Sequence, residues 1–197
     1  MPTIRNYLQL KGAAANIVAA LHSIQNDTAG IGSIDFNKIE PMPPWVFAGE
    51  LSPEAEQRYG AENCWKQWCL SHWGCSRNAL FPERSAEEYD GGDTILFFTE
   101  DSDVQELMRK LSLVFKSVRF DYMWADEETG KNAGLISFHD GIGNPRILPE
   151  AYSREAYEIT FDALGTTATE HGLISDHNTY IYGKEEEEIY DNQSENS

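Results

Sequence analysis

Hydrophobic and polar positions alternate at both ends of the first third of the chain. Ile4, Leu8 and Leu10 fall on one side of an extended segment, so residues 3–10 predict a short strand. Gly12 interrupts it. Ala14, Ile17, Val18, Leu21 and Ile24 then recur at helical spacing over residues 13–25. After a loop from Asp27 to Gly32, Ile34 and Phe36 alternate with polar neighbours, which predicts a second strand over Ser33–Ile39. Pro41, Pro43 and Pro44 end it, because proline removes backbone donors.

The middle of the chain is less regular. Pro53 to Trp73 fits one or two helices split near Gly60. Within it Trp65, Trp68, Cys69 and His72 share one helical face, and Gly74 is a stop. The dense apolar run Thr94 to Thr99 predicts a central strand. Ser102 and Gln105 have the spacing of a capping box, and Val104, Leu107, Met108, Leu111 and Phe115 form an amphipathic stripe behind them. Val118–Trp124 and Ala133–His139 read as strands joined by a hairpin loop. The predicted architecture is α+β. Two β-α-β units make a ferredoxin-like βαβ-βαβ sheet with helices on one face. The domain is expected over residues 1–148, with a helical insertion at 41–93. A short helical or irregular extension follows at 149–183, with Tyr152, Ala156 and Ile159 as a third helix, and an acidic, disordered tail at 184–197.

Charge changes this picture. The net charge is −18 over 197 residues, but residues 1–46 are neutral, 47–100 carry −6, 101–148 carry −2 and 149–197 carry −10. The excess therefore sits outside the predicted strands and helices of the sheet. It opposes general nucleic-acid binding, since phosphate affinity comes from Lys and Arg. No apolar run approaches the ~20 residues of a membrane span, and no signal peptide is visible at the start. Three cysteines make no disulfide framework. A cytoplasmic location is expected.

Cys64, Cys69, His72 and Cys75 are zinc-type ligands within twelve residues. Five helical positions between Cys64 and Cys69 turn them about 140° apart, so these cysteines are expected as core residues. His139 and Asp140 alternate across a strand and form no dyad. Gly141 and Gly143 lack the Lys-Ser/Thr of a phosphate loop, and the stretch reads as a strand exit and turn. No catalytic constellation emerges, and neither an enzyme nor a cofactor is expected.

Two segments carry a resemblance. Phe36 with Ile39, Pro41, Met42 and Pro43 resembles an F-x-x-I-x-P-M-P signature, and His72-Trp73-Gly74 with Asn78 and Ala79 resembles N-W-G-T-K-W-N-A. Both are signatures of the YubB-like ferredoxin-like domain family of phages and conjugative plasmids. The similarity covers roughly residues 3–140. Arg77 stands where that family has a second Trp, and Thr99 to Asp103 replaces its T-A-W-S-P-P. The resemblance implies the fold and a mobile-element origin. It implies no reaction.

Charge and implied origin together suggest a non-enzymatic protein that binds a basic host protein. Its most specific form is an acidic inhibitor of a DNA-targeting defence system, of anti-CRISPR or DNA-mimic type. Candidate contacts are Glu87, Glu88, Asp90, Asp126, Glu127 and Glu128, together with Glu185, Glu186, Glu187 and Glu188 of the tail. One alternative is a nucleic-acid-binding module. It would use the sheet face, with Phe97, Phe98, Phe120, Tyr122 and Trp124, or the basic patch Arg109, Lys110, Lys116 and Arg119. Another is a zinc-stabilised domain with undetected enzyme activity.

Overall fold

The computed structural model describes residues 3–81 and 91–183. Strand β1 (Thr3–Lys11) buries Ile4, Asn6, Leu8 and Leu10 and leaves Thr3, Arg5, Tyr7 and Gln9 half-buried on its other side. The same alternation builds β2 (Thr94–Glu100) and β3 (Arg119–Asp126). With β4 (Gly134–His139) and β5 (Ile142–Ile147) they form one antiparallel sheet in the order β2-β1-β3-β4-β5. Both β2 and β3 run antiparallel to β1, so they are parallel to each other with β1 slotted between them. Helix α4 (Gln105–Val114) is their crossover, which makes a split β-α-β unit.

One sheet face carries the main core. Ile4, Leu8, Ile95, Phe97, Phe120, Tyr122 and Trp124 meet Leu21 and Ile24 of α1 (Ala14–Ile24) and Leu107, Met108 and Leu111 of α4. α2 (Pro53–Tyr59) buries no side chain. The short helix α3 (Trp65–His72) adds Trp68 and Cys69. The architecture is α+β, and α1 and α4 share a face.

Three local expectations change. Ser33–Ile39 is not a strand. Phe36–Lys38 form a 3-10 turn, capped by the Asp35 carboxylate, which accepts from the Asn37 N–H at 2.9 Å. Both edges of β1 are already taken by β2 and β3, and Asp35 and Asn37 satisfy the backbone locally instead. The first unit is therefore β-α without its second strand. The capping box also does not form: Asp103 Oδ1 accepts from the Gln105 N–H at 3.2 Å, and the Ser102 carbonyl accepts from the Thr99 hydroxyl at 2.7 Å. The expected turn at Asp140-Gly141 is present, with both residues at positive φ (46° and 78°), as a two-residue hairpin turn requires. It leads into β5 rather than out of the sheet.

The stretch 149–183 is ordered structure. Helix α5 (Arg154–Leu164) starts at Ser153, whose hydroxyl accepts from the Ala156 N–H at 3.2 Å, and ends at Gly165 in the left-handed region. Ile159 and Ala163 pack against Ala125 and Ala133, with half-buried Met123, Leu135 and Ile147 around them. α5 thus covers part of the second sheet face. A hairpin of β6 (Leu173–Asp176) and β7 (Thr179–Tyr182) packs Leu173 and Tyr180 on Tyr157 and Phe161 of α5.

Candidate functional site

The two motif segments are brought together into one clasp. Asn78 accepts from the Phe36 N–H at 2.9 Å through Oδ1 and donates to the Asp35 carboxylate at 2.7 Å through Nδ2. Asn37 Oδ1 accepts from the Met42 N–H at 3.1 Å, which fixes the turn into Pro43. The Trp73 indole donates to the Glu40 carbonyl at 2.9 Å, while the Glu40 carboxylate pairs with Lys110 at 2.6 Å. Phe36 meets Trp73 and Phe97 edge-on at 5.7 and 5.9 Å. His72 stacks on Trp68 at 4.2 Å, with Nδ1 2.9 Å from the Trp68 carbonyl. Met42 and Ala79 pack against the core, Pro41 is exposed, and Gly74 turns the chain at φ +89°. This constellation pins the irregular segments to α3 and α4.

The four zinc-type residues do not converge. Among the described residues no group of three or more His, Cys, Asp or Glu could hold a metal. Cys64 is buried at the start of α3 and donates to the Gly60 carbonyl at 3.4 Å, and Cys75 donates to the Arg77 carbonyl at 3.1 Å. Burial pushes the Cys69 thiol up to about 11 and the Cys75 thiol up to about 12. At pH 8 either thiol is then almost wholly protonated and inert. Iodoacetamide at that pH should leave Cys69 and Cys75 unmodified in the native protein and label both in denaturant, as read by mass spectrometry. Rapid native labelling of either would contradict their burial.

The basic patch is neutralised by its own neighbours. Arg109 holds Glu106 through two bonds of 2.6 and 2.8 Å, Lys110 holds Glu40, Lys116 pairs with Asp140 at 2.9 Å, and Arg119 pairs with Asp121 at 3.0 Å. Of the aromatics expected on the sheet, Phe97, Phe120, Tyr122 and Trp124 are buried in the core, and Phe98 alone is half-buried on the second face. Four of these five aromatics therefore pack the core rather than line an open sheet face.

Glu87, Glu88, Asp90 and Glu185, Glu186, Glu187 and Glu188 lie outside the described residues. Asp126 ends β3, and Glu127 and Glu128 begin the β3–β4 loop, where Asp126 Oδ1 accepts from the Glu128 N–H at 3.0 Å. The loop is fastened to α5. Gly130 donates to the Thr160 hydroxyl at 3.2 Å and accepts from the Tyr152 N–H at 2.7 Å. The Tyr152 hydroxyl donates to Glu128, which also pairs with Lys131 at 2.8 Å. Those two bonds hold the Glu128 carboxyl below its ordinary range. Gly130 sits at φ +81° with the Tyr157 ring 2.6 Å from where a Cβ would stand, so only glycine fits. α5 exposes Glu155, Glu158 and Asp162 on its outer side. Arg154, 3.7 Å from Glu158, is the one base on α5. Glu127 is exposed on the loop that is fastened to α5, and the three helical carboxylates are exposed on the outer side of α5. The i, i+3, i+7 spacing of the helical three is visible in the sequence once a helix is assigned there.

No helix among the described residues is long and apolar enough to cross a membrane. No curated protein and no solved structure matches this chain. The family model of the ferredoxin-like domain in Api92-like protein matches residues 81–167, the stretch that holds β2, α4, β3, β4, β5 and α5. The chain therefore carries a ferredoxin-like domain similar to that of Api92-like proteins.

Proposed function

We propose that the chain is a non-enzymatic binding protein that docks a basic partner through the acidic surface of α5 and the β3–β4 loop. The observation that carries this reading is the outer side of α5, where Glu155, Glu158 and Asp162 are exposed and Arg154 is the one base of the helix. Fixed carboxylates on a helix meet a basic surface at lower entropic cost than the same charges on a loose chain. In its most specific form the partner is a host nucleic-acid-binding enzyme of a DNA-targeting defence system. The chain would then be a cytoplasmic phage or plasmid product of the YubB-like kind, with carboxylates standing where phosphates normally lie.

The test is affinity capture from host lysate at low and moderate salt, with wild type beside a Glu155→Lys, Glu158→Lys, Asp162→Lys variant. These positions are exposed, so folding is expected to survive. A basic protein retained by wild type, weakened by salt and lost with the variant supports the reading. Equal capture by both proteins, or no basic protein captured at low salt, overturns it.

A further inference from the structure

The helix layer is narrower than the sheet. α4 packs over β3 and β4, and the edge strand β5 projects beyond it. The overhang leaves a cleft of about 330 Å³. Register places its floor: Gly143 pairs with Phe138 and Arg146 with Ile136, so all four look toward the α4 side. Phe138 and Ile136 form an apolar base. Gly143 keeps it open, since a Cβ there would stand 3.0 Å from Ile136 and 3.1 Å from Phe138. Gln105, Glu106 and Arg109 form the opposite wall.

The two arginines of this cleft differ. Arg109 is held by both oxygens of Glu106. Arg146 makes one long contact, 3.4 Å to Gln105 Oε1. A guanidinium has five donors in a planar fork, and the rest of this fork has no partner among the described residues. Glu106 is neutralised by Arg109. Asp103 lies near enough to feel the Arg146 charge, but it is partly buried, accepts from the Gln105 N–H at 3.2 Å and makes no ion pair with the guanidinium. A planar fork at the mouth of an apolar slot matches an anion on a flat apolar body.

The geometry points to a binding site in the α4–β5 cleft for a small carboxylate or phosphate monoester bearing a flat apolar group, with Arg146 taking the anion and Phe138 and Ile136 the ring. This site is separate from the acidic surface and stands or falls independently of it.

Benzoate, phenyl phosphate and neutral benzyl alcohol are the probes, titrated to about 10 mM while backbone amide resonances are followed by NMR. Benzoate or phenyl phosphate should shift residues of β5, Phe138 and the first turn of α4, and the tighter of the two assigns the anion as carboxylate or phosphate. Arg146→Gln should weaken that binding at least about tenfold. Glu106→Gln releases Arg109 as a second fork and should tighten binding severalfold, a gain that a merely structural cleft would not give. Neither side chain is buried, so both variants should keep the native spectrum elsewhere. Absence of shifts with both anions, equal shifts with benzyl alcohol, or unchanged anion binding by Arg146→Gln would overturn the site.

Discussion

Replacing Trp73 by alanine is expected to cost about 3–5 kcal/mol of folding stability, the range for removing a buried aromatic. Trp73 is 2% exposed. Its ring meets Phe36 and Trp68 edge-on, and its indole N–H holds the Glu40 carbonyl. Truncation therefore opens a cavity and also leaves a carbonyl of the clasp without its donor. Glu40 is the residue whose carboxylate reaches Lys110, so the loss should spread into the contact between the Pro-Met-Pro segment and α4. Urea unfolding followed by circular dichroism checks this. Trp73→Phe, which keeps an aromatic ring but not the N–H, should lose clearly less. A loss below about 1 kcal/mol for the alanine variant would mean that the site collapses to refill the space and that the clasp is not what holds the segment.

Tyr122→Phe should have the second largest effect although it removes one oxygen. The hydroxyl is fully buried, donates to Asn6 Oδ1 at 2.6 Å and accepts from the Val104 N–H at 3.0 Å. Asn6 in turn donates to Thr99 Oγ1 at 3.0 Å, and Thr99 donates to the Ser102 carbonyl. This chain of polar groups ties β1, β2 and β3 to the start of α4 inside an apolar core. Deleting the hydroxyl strands one buried acceptor and one buried donor, each worth about 1–3 kcal/mol when unpaired. The same burial, with the Asp103 charge adding to it, pushes the phenol well above its ordinary range. The folded form is then the weaker acid. Its contribution is complete below the unfolded phenol's pKa, near 10, and is lost as pH rises past that value. Unfolding measured at pH 8 and pH 11 should show a smaller alkaline loss for Tyr122→Phe than for wild type. An equal loss in both would remove Tyr122 as the source.

Local pattern carried most of the sheet. The run Thr94–Thr99 and the alternation of Phe120, Tyr122 and Trp124 announce their strands because burial on one face forces a period of two. The same signal misleads at Ile34 and Phe36, where burial of two side chains is met by a 3-10 turn. Periodicity records which residues are inside, not which backbone partner is free. Asp140-Gly141 is a hairpin signature, and a short exposed edge strand such as β5 has little apolar pattern to extend it. The clasp was legible as two motifs and not as one object. The reach of Asn78 back to Asp35 and Phe36 is non-local, and no spacing rule contains it. The α4–β5 cleft exists only because a sheet is wider than its helix layer, which no single segment encodes.

The position of β1 bears on how the chain reaches its fold. β2 and β3 belong to the stretch that resembles a known domain, yet they do not touch each other, and the strand that joins them comes from residues 3–11. Ile4 must find Thr99 on one side and Asp126 on the other before either long loop is closed. Such distant pairing slows folding, because the loop entropy is lost before the contacts form. On a ribosome β1 emerges ahead of both its partners, and it waits with both edges bare until β2 has been made and with one edge bare until β3 follows. Segment 81–167 by itself would present two parallel strands facing an empty slot, so the unit of sequence similarity is smaller than the unit of cooperative folding.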